Sequence, residues 1–173
     1  MREHSARVLS YACHRGATWA EAEDVVAEVF LVCWRRLDDV PASPVPWLLG
    51  VARKVLANHW RSRRRWEALQ ARIGQEIEPC DDGWGSLVSA NDSNPGVSDA
   101  LSLLSDADRE ILILFAWDGL SYEEGAEVLG CTKTAIGLRL HRARSRYMKH
   151  FAKVRTHSAI EDPKDKNGRR DVP

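Results

Sequence analysis

Apolar residues recur every three or four positions along most of this chain, which is the spacing of amphipathic helices rather than of strands. One such stretch lies within residues 1–15, and Gly16 should end it. A capping box formed by Thr18 and Glu21 predicts a second helix over residues 19–37. The first part of the chain therefore predicts a bundle of helices.

Prolines interrupt this pattern at Pro41, Pro44 and Pro46, and the residues between them cannot stay helical for long. A third helix is predicted over residues 47–65, because a proline such as Pro46 is tolerated in a first turn. Its apolar positions fall on one face, namely Leu48, Val51, Ala52, Val55 and Leu56.

The helical pattern disappears between residues 74 and 96, a segment rich in glycine, serine, asparagine and proline. This composition is typical of a flexible linker, which we assign to residues 73–98. The region is also acidic, since residues 73–110 hold nine acids and one cation. One hypothesis is that the acidic linker loosely masks the basic segments on either side of it.

The second half of the chain predicts a small helical bundle. Ser105 and Asp108 can cap a helix over residues 106–117, and the run ILILFAW within it is apolar on nearly every side. That helix should therefore be central. A second capping box, formed by Ser121 and Glu124, opens the next helix.

Residues 121–149 have the layout of a helix-turn-helix, with a turn at Gly130 and a second helix capped by Thr132. The apolar stripe of that second helix is Ile136, Leu140, Ala143 and Tyr147. Residues 131–150 carry six cations and no acid, which suits a helix that enters the major groove of DNA. The alternative is a solvated cationic face on an ordinary helical hairpin. The polar, aperiodic residues 152–173 predict a disordered tail.

Charge is segregated along the chain although the formal net charge is zero. Residues 53–72 hold seven cations against one acid, and Trp60 and Trp66 lie among them. Arginines interleaved with aromatic residues are typical of phosphate contact combined with base stacking. That Trp60 instead turns into the core stays open as an alternative.

Several classes of protein are disfavoured. The four cysteines, Cys13, Cys33, Cys80 and Cys131, are isolated, which disfavours structural zinc or a disulfide framework and indicates a reducing cytoplasm. The chain has no run of eighteen apolar residues, and its N-terminus lacks the apolar core of a secretory signal. No HExxH, P-loop, GxSxG or spaced carboxylate cluster indicates an enzyme, and no cofactor or metal is expected.

Three blocks of the sequence resemble the extracytoplasmic-function (ECF) group of bacterial RNA polymerase sigma factors, within the sigma-70 family. In the family's order they are AEAEDVVAEVFLVCWRRL, PWLLGVARKVLANHWRSRRR and LSDADREILILFAWDGLSYEEGAEVLGCTKTAIGLRLHRAR. The resemblance implies an all-α fold with two small helical domains, sigma region 2 at residues 1–72 and sigma region 4 at residues 99–151. It also implies a cytoplasmic, non-enzymatic protein that binds core RNA polymerase and recognises the −35 and −10 promoter elements.

The resemblance assigns three groups of site residues. Residues that would bind the clamp helices of the polymerase's largest subunit are Asp24, Glu28, Phe30 and Trp34. Residues that would bind the −10 element are Arg53, Lys54, Asn58, Arg61 and Arg64, beside a loop at residues 42–46 that would capture a flipped base. Residues that would bind the −35 element are Lys133, Gly137, Leu138, Arg139, His141, Arg142 and Arg144, with Arg139 and Arg144 nearer the phosphates.

This chain departs from the family pattern at several of these positions. Lys54 and Asn58 stand where Asn and Asp are common, so the base preference at the −10 element cannot be transferred. Gly137 and Leu138 replace a pair that usually supplies hydrogen-bond donors in the −35 helix. Gly125 replaces an apolar residue and should weaken its helix by about 1 kcal/mol relative to alanine.

Two other functions are weighed against a sigma factor. A stand-alone helix-turn-helix regulator that binds DNA without polymerase would leave residues 19–65 unexplained. An enzyme such as a nuclease would have to use the acids of residues 21–28, which have no nearby histidine in the sequence. Whether an anti-sigma factor binds the chain is left open, as is whether Met1, which falls inside the family's first helix, is the natural start.

Overall fold

The computed structural model describes residues 2–73 and 95–161 of the chain. These two ranges contain seven α-helices joined by turns and loops. In chain order they are α1 (Arg2–Cys13), α2 (Trp19–Arg35), α3 (Val45–Ile73), α4 (Pro95–Ser102), α5 (Asp106–Ala116), α6 (Tyr122–Leu129) and α7 (Lys133–Glu161). A short 3₁₀ helix, Leu37–Asp39, follows α2. Helices α1–α3 pack together as a first half and α4–α7 as a second half, which confirms the predicted all-α class.

The first half is a three-helix bundle whose second helix begins where the sequence predicts. The backbone N–H of Thr18 donates to Glu21 Oε2 at 2.8 Å, and the backbone N–H of Glu21 donates to Thr18 Oγ1 at 3.3 Å. This capping box satisfies two amide groups that the start of a helix would otherwise leave unpaired. The acidic first turn and the apolar face of α2, which buries Ala22, Val25 and Val29, follow from this start.

The second half is built around α5, as its all-round apolar sequence predicts. Ile111, Leu112, Ile113 and Leu114 are all buried. The guanidinium group of Arg109 is also buried, because it donates hydrogen bonds to three backbone carbonyl oxygens near the end of α4: Leu101, Ser102 and Leu104. These bonds satisfy carbonyl groups that the helix itself leaves unpaired, so Arg109 ties α5 to α4.

The helix-turn-helix lies where its capping signals predict it. Ser121 and Glu124 form the capping box of α6. Gly130 ends that helix in the left-handed conformation, with φ of 63°, and the backbone N–H of Ala135 donates to Thr132 Oγ1 at 3.2 Å at the start of α7. Because glycine has no Cβ, this tight reversal costs little here.

Two predicted boundaries near the linker are wrong. Helix α3 runs to Ile73 rather than ending at residue 65, since residues 66–73 contain good helix formers and no breaker before Gly74. Helix α4 begins at Pro95, inside the predicted linker 73–98, because proline is favoured in a first helical turn. Residues 74–94, on which the masking hypothesis rests, lie outside the described part of the chain.

The predicted disorder from residue 152 is also wrong over its first ten residues, because α7 continues to Glu161. Neither glycine nor proline occurs between Gly137 and Glu161, and the next proline is Pro163. A residue before proline is disfavoured in the helical conformation, which accounts for an end near this point. Residues 162–173 lie outside the described ranges.

The two halves share one apolar core. The cluster formed by α1–α3 also contains Leu114, Leu120 and Val128 of the second half. Helix α3 packs against α6, and Gly50 lies there close to the backbone of Val128. The halves therefore meet through a packed surface rather than through a few charged contacts alone.

A buried carboxylate joins the second half to the turn that follows α1. Asp118, just after α5, is about 5% exposed at its side chain, and its Oδ2 accepts a hydrogen bond of 3.0 Å from Arg15 Nη1. His14 Nδ1 lies 3.0 Å from Asp118 Oδ1, and Arg7 donates to the Asp118 backbone oxygen at 2.9 Å. Each of these three partners comes from the first half, so Asp118 anchors one half on the other.

Arg15 is held in place by Tyr11 as well as by Asp118. Its guanidinium carbon lies 3.4 Å from the centre of the Tyr11 ring, and Nη1 also donates to the Tyr11 backbone oxygen at 3.0 Å. Burial raises the pKa of the Tyr11 hydroxyl to about 12. A neutral aromatic ring next to a buried cation is a favourable arrangement. Tyr11 of α1 therefore holds Arg15 in a defined position next to Asp118.

No helix within residues 2–73 or 95–161 combines the length and the apolar character needed to cross a membrane.

We expect Gly125→Ala to lower the free energy of unfolding by about 1 kcal/mol, although alanine is the better helix former. A Cβ at residue 125 would lie 2.7 Å from Phe115 Cζ. Overpacking of this kind costs about 1–3 kcal/mol. The gain in helix propensity is about 1 kcal/mol, which offsets only part of that cost. The measurement is urea denaturation followed by circular dichroism.

Gly137→Ala is the matched control, because a Cβ there would meet only Tyr122 at an ordinary 3.8 Å, and it should stabilise the protein. Combining Gly125→Ala with Phe115→Leu should remove most of the penalty. Stabilisation by Gly125→Ala alone would show that Phe115 moves aside freely.

We expect Asp118→Ala to lower the free energy of unfolding by about 3–5 kcal/mol, because it leaves the buried Arg15 without its carboxylate partner. The radius of gyration in small-angle scattering should rise as the halves part. Asp39→Ala removes an exposed pair with Arg36 instead and should change stability by less than about 0.5 kcal/mol. Equal effects of the two variants would contradict this role of Asp118.

Candidate nucleic-acid and protein interfaces

The basic residues of α3 lie along a cleft between the two halves, with a volume of about 690 Å³. All five residues predicted to bind the −10 element line this cleft: Arg53, Lys54, Asn58, Arg61 and Arg64. Helical spacing explains why they come together, since positions three, four and seven apart share one side of a helix. The opposite wall is formed by Asp106, Arg109 and Glu110 of α5.

One of these cations is already paired across the cleft. Arg53 donates to both carboxylate oxygens of Glu110, at 2.7 and 3.2 Å. The hydrogen bond that Arg53 donates to Glu110 raises the pKa of the Arg53 guanidinium above its ordinary value. Paired in this way, Arg53 is not available to a phosphate group.

The other residues of the basic face differ in whether they already make hydrogen bonds within the protein. Arg61 donates to Asn58 Oδ1 at 2.8 Å and to the Ala57 backbone oxygen at 3.0 Å. Lys54 and Arg64 are exposed and have no hydrogen bond or ion pair within the described ranges. Lys54 and Arg64 are therefore the cations most ready to meet a phosphate.

The tryptophans of this region divide between the two alternatives weighed from the sequence. Trp60 is partly buried against the core of the first half and also lines the cleft. Trp66 is exposed on the outer part of α3. Neither environment excludes stacking on a base, but only Trp66 presents most of its surface to solvent.

The proline-broken segment is shorter than predicted. Ala42 and Ser43 are exposed, whereas α3 already begins at Val45 and Pro46 is buried in its first turn. The exposed loop available to a flipped base is therefore limited to the residues before Val45.

The acidic face of α2 lies on the outside of the first half. Asp24 and Glu28 are exposed and four residues apart, so they share one side of the helix. Glu28 Oε1 lies 2.8 Å from His59 Nε2, which connects this face to α3. Trp34 is 79% exposed, whereas Phe30 is only half-exposed.

Three further apolar side chains of the first half were not predicted as site residues. Trp19, Leu31 and Leu37 are large and exposed. The sequence does hold a signal for Leu31, because it follows Glu28 by three positions and Asp24 by seven and so continues the same stripe. Single exposed apolar side chains are common on protein surfaces, so Leu31 is a candidate contact only because it continues the stripe of Asp24 and Glu28.

The first turns of α7 expose a second basic face. Leu138 is 52% exposed, and His141 and Arg142 are exposed beside it, opposite the buried Ile136 and Leu140. Of the other predicted residues, the exposed Arg139 and Arg144 lie on the two flanks of this face by helical spacing.

Two predicted −35 residues have neighbours within the protein. Lys133 donates to Glu123 of α6, and this contact lowers the pKa of the Glu123 carboxyl. Gly137 is half-buried next to the Tyr122 ring. The structure therefore groups Leu138, His141 and Arg142 on the open face and leaves Gly137 at its edge.

No group of histidine, cysteine or acidic side chains in residues 2–73 and 95–161 could hold a metal ion.

Comparison with known proteins gives the same two regions in the same order. Residues 1–66 match the family model described as "Sigma-70 region 2", and residues 97–146 match "Sigma-70, region 4". The chain is 33% identical over 136 residues to the ECF RNA polymerase sigma factor EcfG of Rhodopseudomonas palustris. The match covers 72% of this chain and 68% of that protein.

A second relative is longer. The chain is 30% identical over 132 residues to the "Probable RNA polymerase sigma factor RfaY" of Xanthomonas campestris, and the match spans 73% of this chain but only 33% of that protein. Among solved structures, the sigma factor RpoE of Bartonella quintana, in complex with the anti-sigma factor NepR, is similar with a TM-score of 0.62 and 25% identity. That match covers 87% of this chain and 93% of RpoE.

Proposed function

The chain belongs to the ECF group of the sigma-70 family of RNA polymerase sigma factors, and we propose that it acts as an alternative sigma factor. In this role it binds core RNA polymerase, recognises −35 and −10 promoter elements and aids the melting of the promoter. It does so by binding alone, while the polymerase carries out catalysis. Its partners are the core enzyme and promoter DNA, and an anti-sigma factor is a third candidate because RpoE was solved with one.

One observation carries this proposal. Region 2 and region 4 occur in the family's order on two separate halves, and each half presents an exposed basic helical face, on α3 and on α7. A stand-alone helix-turn-helix regulator would need only the second half. It would leave the acidic and apolar outer face of α2 without a purpose.

The outer face of α2 is the proposed anchor on the polymerase. Asp24 and Glu28 are exposed carboxylates, and the exposed Trp34 and Leu31 lie around them. An apolar contact surrounded by charges is the usual composition of a protein interface, where aromatic groups supply most of the affinity and charges supply orientation. The complementary partner is a basic, partly apolar helical surface such as the clamp helices.

The basic face of α3 is the proposed −10 reader, with Lys54 and Arg64 as its free cations. Unstacking a base costs a few kcal/mol, which capture of that base and phosphate contacts can offset. Arg53 can join these contacts only after its pair with Glu110 is broken. Recruitment of Arg53 to the DNA therefore competes with its pair across the cleft.

The open face of α7 is the proposed −35 reader. Arg142 can contact a guanine edge in the major groove, and Leu138 can contact a thymine methyl group. Arg139 and Arg144, on the flanks, suit phosphates, which position the helix but carry no base preference.

Run-off transcription tests the function as a whole. Purified chain and core polymerase are combined on a library of promoter sequences, and the transcripts are sequenced. Enrichment of two motifs at −35 and −10 spacing is the expected result. Stable DNA binding without polymerase and without initiation at any sequence would favour the stand-alone regulator instead.

We expect Arg142→Ala to weaken initiation at the selected promoter by about 5- to 150-fold, the equivalent of about 1–3 kcal/mol, and to relax base preference at one position of the −35 element. Arg144→Ala is the matched control, because a phosphate contact should weaken initiation to a similar degree on every sequence. Loss that is uniform across the library for Arg142→Ala would reassign that residue to a phosphate.

We expect Asp24→Arg to abolish association with core polymerase, because it places a cation against the basic surface that the outer face of α2 fits. Co-elution of the chain with core enzyme in size-exclusion chromatography is the measurement. Asp99→Arg makes the same charge change on the exposed side of α4 and should leave co-elution intact. Undiminished co-elution of the Asp24 variant would refute the proposed anchor.

A further inference from the structure

Helix α7 extends well past the part that matches region 4. The match ends at residue 146, whereas the helix continues to Glu161 and has 29 residues, or a length of about 43 Å. The extension starts as a packed helix, because Tyr147, Phe151 and Val154 are half-buried. The rings of Tyr147 and Phe151 stack at 5.7 Å.

The charge of α7 has a single sign over nearly its whole length. Glu161, its last residue, is its one acid, and eight lysines and arginines precede it. An ordinary solvated helix mixes both signs, which gives favourable pairs three or four residues apart. A one-sided charge of this kind points to a polyanion as the partner.

The register of α7 places two of these cations in line with the −35 reading face. Lys149 follows Arg142 by seven residues and Lys153 follows it by eleven, so all three lie along one side of the helix. Both lysines are exposed and make no hydrogen bond or ion pair within the described ranges. Arg146, which lies between Arg142 and Lys149 in the sequence, donates instead to Asp108 Oδ2 at 2.6 Å.

Distance along the helix axis fits DNA as the partner. Lys149 lies about 10 Å and Lys153 about 16 Å beyond Arg142, at about 1.5 Å per residue. The major groove is about 12 Å wide. A helix that holds Arg142 at base edges therefore carries the two lysines to the rim of the groove, where the phosphates lie.

We propose that α7 beyond residue 146 is an additional DNA-binding surface, in which Lys149 and Lys153 contact phosphates that flank the −35 element. The contact is independent of base sequence and adds affinity and orientation. This inference rests on the proposed −35 reading by the same helix.

The test uses the full chain bound to core polymerase and duplexes that carry the selected −35 element with about 2 or about 10 base pairs of flanking DNA. Wild-type complex should bind the longer duplex more tightly, whatever the flanking sequence. Lys149→Gln combined with Lys153→Gln should remove this gain. Raising salt from about 50 mM to about 200 mM should weaken the wild type on the long duplex about tenfold more than the double variant, as expected for two phosphate contacts.

Arg155→Gln is the matched control. Arg155 is exposed on the same extension but lies to one side of the stripe, with its guanidinium carbon 6.0 Å from the centre of the Phe151 ring. Its removal should leave the gain from flanking DNA unchanged. Circular dichroism should show equal helix content in all variants.

The outcomes separate this inference from the function it rests on. Failure of the wild-type complex to distinguish the selected −35 element from a scrambled one on either duplex would refute −35 reading itself. Normal discrimination with a double variant that keeps the full gain from flanking DNA would refute the additional surface alone. A loss that is the same on short and long duplexes would assign the lysines to a protein contact and would also overturn the proposal.

Discussion

The buried carboxylate of Asp118, in the second half, is paired with side chains of the first half, and this pairing constrains how the two halves pack. Asp118 is almost inaccessible to solvent, and an unpaired charge in such a place costs several kcal/mol. The side chains that contact its carboxylate, His14 and Arg15, both lie in the turn that directly follows α1. Asp118 can therefore stay buried only while the second half is docked on the first. The apolar core shared by α3 and α6 also requires the two halves to stay docked.

Docking has a consequence for promoter binding. The same arrangement that satisfies Asp118 brings Glu110 against Arg53, so one cation of the proposed −10 face is neutralised by the opposite half. The proposed binding of DNA in the cleft therefore competes with docking of the halves for Arg53. The proposed polymerase anchor on α2 is not part of this competition, because Asp24 and Trp34 lie on the outside of the first half.

Helix α7 shows how one element serves both packing and recognition. Ile136, Leu140 and Ala143 hold it in the core, while Leu138 and Arg142 point away from that core. This division follows from the helical period alone, since residues three, four and seven apart share a side. The same period continues past the end of the region 4 match, which is why the stripe through Lys149 and Lys153 keeps its direction.

Features that depend on neighbours within a turn or two could be predicted from the sequence. The capping boxes at Thr18 and Ser121, the left-handed Gly130 and the stripes of α3 and α7 were all predicted, because helix caps and helical periodicity are local. The predicted ends of α3 and α7 were wrong. Each helix continues there because no helix-breaking residue occurs, and the sequence holds no positive signal for the continuation. The contacts between distant groups became visible only in the folded chain: Asp118 pairs with Arg15, 103 positions away, and Gly125 faces Phe115. Pairing over such separations depends on how two bundles dock, and no spacing in the sequence encodes that.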